Sequence, residues 1–251
     1  AEGKPLQFRP QPLCDPVMTT SSGSGRTGAT ERRRALLLAK LASAAPQWGA
    51  ITHQGTVAFG PGLVVQRFRL ANGLEVLLCE DHSAPVVAFH TWYHVGSRHE
   101  RPGKTGLAHL FEHLMFNETR RRPAGEFDKL LEAVGAENNA STWLDWTQYT
   151  INVPKESLPL VISLEAERMS ELALSDKLVA SEKEVVANER RYRVEDDVEG
   201  ALSELLWATA FQRHSYRWPT IGWMDDILAF TTGDCEAFYK TYYAPNNATL
   251  V

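Results

Sequence analysis

Cysteine is scarce and scattered: Cys14, Cys79 and Cys235 form no CxxC pair. Three thiols so placed exclude a disulfide framework and offer no redox motif. Cys79, at the end of the apolar run Val76-Leu77-Leu78-Cys79, is read as a small core residue. No apolar stretch approaches the roughly 18 residues that a membrane span needs. Neither sign of charge dominates. The 26 Lys and Arg against 31 Asp and Glu leave −5, so no overall attraction to nucleic acid or anionic lipid is expected. Repeats of fixed period are also missing. What remains is 251 residues, 43% hydrophobic and 10% aromatic, enough to bury a substantial core.

Charge is unevenly spread along the chain. Residues 1–50 hold seven basic and three acidic side chains, whereas residues 51–251 hold 19 basic and 28 acidic. The first thirty residues, with Pro5, Pro10, Pro12, Pro16 and a Ser/Gly/Thr run, show no sustained apolar period and read as an extended arm. Residues 30–45, carrying Arg32-Arg33-Arg34, have the pattern of one short basic helix. The expected organisation is therefore a basic, largely extended arm over 1–50 and a folded domain over 51–251.

From residue 60 the pattern becomes regular. Apolar runs at 63–70 and 74–79 flank Ala71-Asn72-Gly73, and Asn-Gly between such runs is a hairpin signal. Residues 85–95 read as a third strand and 139–153, rich in Thr, Trp and Tyr, as a fourth. Leu107, Leu110, Phe111 and Leu114 share one helical face, which predicts a helix over 105–116. Further helices are expected at 124–134, 157–172, 181–196, 200–211 and 233–243. Hairpin chemistry without alternating βαβ units predicts an α+β fold, a mostly antiparallel sheet with helices packed on one face.

The chemistry is concentrated in His109-Leu110-Phe111-Glu112-His113. Residues four apart lie one turn apart on one helical face, so both imidazoles can address one metal ion. Glu112, three residues after His109, reaches the same side and can take a proton from an attacking water instead of binding metal. Two imidazoles and one carboxylate leave a fourth position open on tetrahedral Zn²⁺, the catalytic rather than the structural arrangement. A third ligand is expected from an acid in 181–196. Val185 and Val186 mark the packed side there, and Glu182 and Glu189, two turns apart, share a face that suits the role equally well. Glu184, Glu195 and Asp196 read as a solvated face balanced by Lys183, Arg190, Arg191 and Arg193.

Gly96-Ser97-Arg98 and the run Gly103-Lys104-Thr105-Gly106-Leu107-Ala108-His109-Leu110-Phe111-Glu112-His113-Leu114-Met115-Phe116 resemble the inverted-motif zinc peptidases of the pitrilysin, insulysin and mitochondrial processing peptidase superfamily. The His-x-x-Glu-His order reverses the commoner zinc-peptidase signature. The resemblance covers about residues 60–251. It implies that Glu189, 76 residues beyond His113, is the third ligand, and that Glu182 is an acidic residue supporting the site. Residues 135–142, with Asp145, Thr147 and Tyr149, are similar to the family's edge strand. There Asn139 and Ala140 would hold an extended peptide by β-augmentation. Residues 214–222 and 242–248 also look like family segments.

The resemblance further implies one Zn²⁺ per chain, an unfolded peptide or targeting sequence as substrate, and a second, similarly folded domain or subunit closing a chamber, as a homo- or heterodimer. Residues 248–251 stand where the family begins another strand, so the chain is expected to be one half of a two-domain clam-shell peptidase. Asn117-Glu118-Thr119 replaces a segment that is often Gly-Thr in relatives, a peripheral change. A non-catalytic peptide-binding or assembly subunit is the rival reading, weakened by the base beside an open metal position. A nucleic-acid binder has only the Arg32-Arg33-Arg34 run behind it. The compartment is open, with a leaning towards the bacterial periplasm. His94 and His99 lack partners at ligand spacing and are read as loop or sheet residues.

Overall fold

A computed structural model describes residues 49–60 and 62–251. The expected basic arm, its helix at 30–45 and Cys14 lie outside these residues.

Among the described residues seven strands form one sheet: β1 (Ile51–Phe59), β2 (Leu63–Leu70), β3 (Glu75–Cys79), β4 (Val86–Tyr93), β5 (Glu137–Thr142), β6 (Thr147–Pro154) and β7 (Ala248–Leu250). Their spatial order is β1-β2-β3-β7-β4-β6-β5. Every pairing is antiparallel except that of β3 with β7. The Asn-Gly hairpin forms as expected. Gly73 adopts φ +90°, which a side chain would resist, and Asn72 Oδ1 accepts from the Leu74 N–H at 3.1 Å.

Seven α-helices accompany the sheet among the described residues: α1 (Leu107–Leu114), α2 (Glu126–Ala133), α3 (Leu158–Glu171), α4 (Asp176–Arg190), α5 (Val198–Ala210), α6 (Met224–Ala229) and α7 (Thr232–Tyr242). The period-two pattern of β6 points Thr147, Tyr149, Ile151 and Val153 into the core. Tyr149 joins Tyr93 and Val95 with Leu110, Phe111 and Leu114 of α1, Val186 of α4 and Phe238 of α7. Ile151 and Val153 join Phe89, Phe127, Leu131, Val161 and Leu164 in a second cluster. Burying each such large apolar side chain contributes about 1.5–3 kcal/mol. The helix carrying the His-x-x-Glu-His motif is therefore held on its apolar stripe by the centre of the fold.

Several expectations are corrected. The strand expected over 139–153 is two strands, because residues 143–146 turn the chain, with Trp143 N–H donating to Trp146 O at 2.9 Å. That turn lacks Gly or Asn and is held from outside. The Ser97 and Arg98 N–H groups donate to the carbonyls of Trp143 and Leu144, and Asp145 binds Arg98 at 2.8 Å and the Tyr216 hydroxyl at 2.8 Å. A Cβ on Gly96 would lie 2.3 Å from Trp143 O, which accounts for glycine there. Cys79 is exposed, not core, because the outer end of β3 runs beyond its cover. The helix expected from 181 begins at Asp176, where Ser175 Oγ caps the Leu178 N–H at 3.2 Å. It gives way to a π-helical turn at Arg191–Glu195. On it Val186 is fully buried but Val185 is 47% exposed, so only one of the pair marks the packed side. Arg190 belongs to the core rather than a solvated face, donating to Glu204 and to Gly222 O. Strand β1 and helix α6 have no counterpart in the sequence reading.

Candidate metal centre

Helix α1 starts abruptly at Gly106, whose φ of +97° suits glycine. Its first N–H groups would be orphans, but the buried Glu100 carboxylate accepts from Gly106 N–H and Ala108 N–H, each at 2.8 Å. Burial pushes the Glu100 carboxyl well above its usual range, against those two bonds. Asp226 accepts from the N–H and hydroxyl of Thr105. At the other flank the Tyr149 hydroxyl donates to Phe111 O at 3.1 Å. The register of α1 is thus fixed from both ends.

With α1 so placed, His109 and His113 stand a turn apart, ring centroids 4.9 Å from each other. Glu189, near the end of α4, faces them: its Oε2 lies 3.5 Å from His109 Nε2 and 3.4 Å from His113 Nε2. One ligand atom from each of the three residues lies within 4.8 Å of the others. Glu189 Oε1 is engaged by Arg193 Nε at 3.1 Å. Glu182 Oε2 lies 3.6 Å from His113 Nδ1, the nitrogen facing away from Glu189. Both acids left open by helical periodicity therefore face α1, but only Glu189 converges with the two imidazoles. Glu112 is half-buried beside His113 and is not one of the convergent three.

The electrostatics suit a cation. Burial holds the His109 imidazole well below its usual range despite Glu189, leaving it neutral with a lone pair to give. Burial disfavours charge on His113 too, but the facing carboxylates of Glu182 and Glu189 outweigh it and lift the ring to about 9. Those carboxylates are in turn held below their ordinary range by His113. Burial pushes Glu112 up, which makes it a stronger base than a solvated carboxylate. A compact N, N, O donor set of this kind fits zinc.

Residues 75–222, more than half of the chain, match the family described as Insulinase (Peptidase family M16). The chain belongs to this family. This insulinase-family chain is 40% identical over 183 residues to the zinc protease PqqE of Helicobacter pylori, covering 72% of itself and 41% of that protein. It is 31% identical over 186 residues to an uncharacterized zinc protease of Streptomyces coelicolor, covering 74% of itself and 40% of the relative. It therefore spans about two fifths of the length of these relatives. The fold matches a protease from Helicobacter pylori with a TM-score of 0.73 at 39% identity, covering 74% of this chain and 45% of that one. It also matches the first half of the periplasmic protease PqqL from Escherichia coli with a TM-score of 0.67 at 25% identity, covering 78% and 43%. The family assignment and the α+β half-domain expected from the motif agree with these likenesses.

The edge strand lies where the resemblance expects it: β5 is last in the sheet and packs near α1. Ala140 N–H donates not to β6 but to the side-chain Oδ1 of Asn139 at 2.9 Å. Trp143, at the turn after β5, is 51% exposed. Asn117 is a neighbour of the cluster that sequence reading set aside as peripheral. Its Nδ2 donates to Glu182 Oε1 at 3.1 Å and to His113 O at 3.2 Å. The available signal was its spacing, four residues beyond His113 as His113 is four beyond His109.

Proposed function

We propose that this chain is the metal-bearing part of a zinc-dependent endopeptidase acting on unfolded peptides or targeting sequences. The observation that carries the reading is the convergence of His109, His113 and Glu189, with Glu112 on the same helix. The three converging residues would hold one zinc ion per chain. When bound, zinc polarises the scissile carbonyl and acidifies a water. Glu112 takes the water's proton on its carboxylate and passes it to the leaving amine nitrogen as the C–N bond breaks. Asn139 and Ala140 align the extended substrate beside β5. Ala140 N–H is the donor an incoming strand would use, and the Asn139 side chain occupies it beforehand.

Because the relatives are more than twice as long as the matched region, a second homologous domain or subunit is proposed to close the substrate chamber, in a homo- or heterodimer. No helix among the described residues is long and apolar enough to cross a membrane. The bacterial periplasm, where the name of PqqL places that protein, is the compartment proposed.

The test is zinc content together with hydrolysis of a quenched peptide library, for wild type and Glu112→Gln in the longest natural form. One zinc in both, with kcat/KM lowered about 10²–10⁴-fold in the variant, is expected. Zinc without hydrolysis in wild type would leave a binding subunit, and absence of zinc would overturn the site.

A further inference from the structure

Asn117 ties together two groups that the proposed site uses but that come from different helices. Its single Nδ2 spans Glu182 Oε1 on α4 and the carbonyl of His113 at the end of α1. Glu182 in turn presents its other oxygen, Oε2, to His113 Nδ1. His113 Nε2 then faces Glu189. An imidazole whose Nδ1–H faces a fixed carboxylate has its ring orientation and tautomer set, so Nε2 is the nitrogen that gives up its proton when a metal ion takes its lone pair.

Glu182 needs help to play this part. At 3.6 Å its contact with His113 Nδ1 is an ion-pair approach rather than a short hydrogen bond, and its carboxylate can turn about its own χ angles. Asn117 removes that freedom by donating to Oε1, and Oε2 is left aimed at the ring. The second bond of the same amide, to His113 O, references Glu182 to the backbone of the residue it orients. A short amide one turn beyond His113 makes both contacts.

We infer that Asn117 is a positioning residue for the metal centre, acting through Glu182 on His113. The inference rests on the proposed metal site and goes beyond it by adding a residue outside the ligand set and its acidic neighbour. A purely structural Asn117 would only satisfy a carbonyl at the end of α1. The two roles predict different measurements.

The experiment is zinc affinity by chelator competition on the full chain, with thermal unfolding of the metal-free protein, for wild type, Asn117→Ala, Asn117→Asp, Glu182→Ala and the Asn117→Ala/Glu182→Ala double variant. Asn117→Ala is expected to weaken zinc binding about 10- to 100-fold, the scale of lost ligand support. Asn117→Asp keeps the size but opposes a carboxylate to Glu182, so it should bind zinc more weakly still. In the Glu182→Ala background the Asn117→Ala change should have little further effect. A lowered unfolding midpoint with zinc affinity unchanged in both Asn117 variants would overturn the inference, as would an Asn117→Ala loss undiminished without Glu182. Failure of wild type to bind zinc would instead sink the underlying site.

Discussion

Removing the guanidinium of Arg168 should cost more stability than any single change at the surface. Arg168 lies on α3 and is 1% exposed. Its Nη2 is 2.5 Å from Glu165 Oε1, and its guanidinium sits over the rings of Tyr149, Phe127 and Phe116 at 4.4, 4.9 and 5.7 Å. Among the described residues Glu165 has one other partner, the Thr91 hydroxyl at 3.0 Å. Arg168→Met keeps much of the volume but strands Glu165 in an apolar layer. Breaking one side of a buried pair costs about 3–5 kcal/mol. With a urea dependence of about 2 kcal/mol/M, the unfolding midpoint should fall by about 2 M. The double variant Arg168→Met/Glu165→Met strands no charge and should recover most of that loss. A single-variant cost below about 1 kcal/mol, or a double variant no better than the single, would refute the argument that the stranded carboxylate is the penalty. The cluster adjoins the metal helix through Tyr149, so Arg168→Met should also loosen zinc binding in step with stability.

Two further outcomes follow from the geometry. Asp234 is pushed up by burial but pulled down further by Lys104 and Thr231, to about 2, so its contribution is present above the unfolded pKa near 3.8 and lost as pH falls through about 2. Asp234→Asn should therefore cost on the order of 1 kcal/mol after solvent screening at pH 6 and almost nothing at pH 2, read by urea unfolding at both. Gly222 has φ +88° and an added Cβ would stand 2.3 Å from Thr105 O, so Gly222→Ala should lose more than about 2 kcal/mol in the same assay; a loss under 0.5 kcal/mol would show that the loop yields.

What could be read in advance depended on whether a residue's partners were local. The i, i+4 histidines, the Asn-Gly hairpin and the apolar stripe of α1 express their geometry within a few residues, and each appears in the structure where expected. Glu182 and Glu189 were equivalent by helical period, since a two-turn repeat puts both on one face. Choosing between them needs the position of α4 along α1, which packing decides. The turn at 143–146 was unreadable because its hydrogen bonds come from Ser97 and Arg98, some 45 residues earlier. Arg190 looked solvated because its acceptors, Glu204 and Gly222 O, belong to later segments. Asn117 was passed over for the same reason: its importance lies in Glu182, 65 residues away.

Strand β7 bears on how the protein is made. It sits between β3 and β4, and His94 meets Thr249, 155 positions further along the chain. Until residue 250 leaves the ribosome, the hairpin β1–β2–β3 and the trio β4–β6–β5 cannot become one sheet. In that interval both β3 and β4 offer bare ladder groups to any passing strand. Closing so long a loop is also the entropically costly contact that sets a slow folding rate. The nascent chain thus carries an unfinished sheet, and a chaperone that shields strand edges is the factor whose absence should lower its yield most.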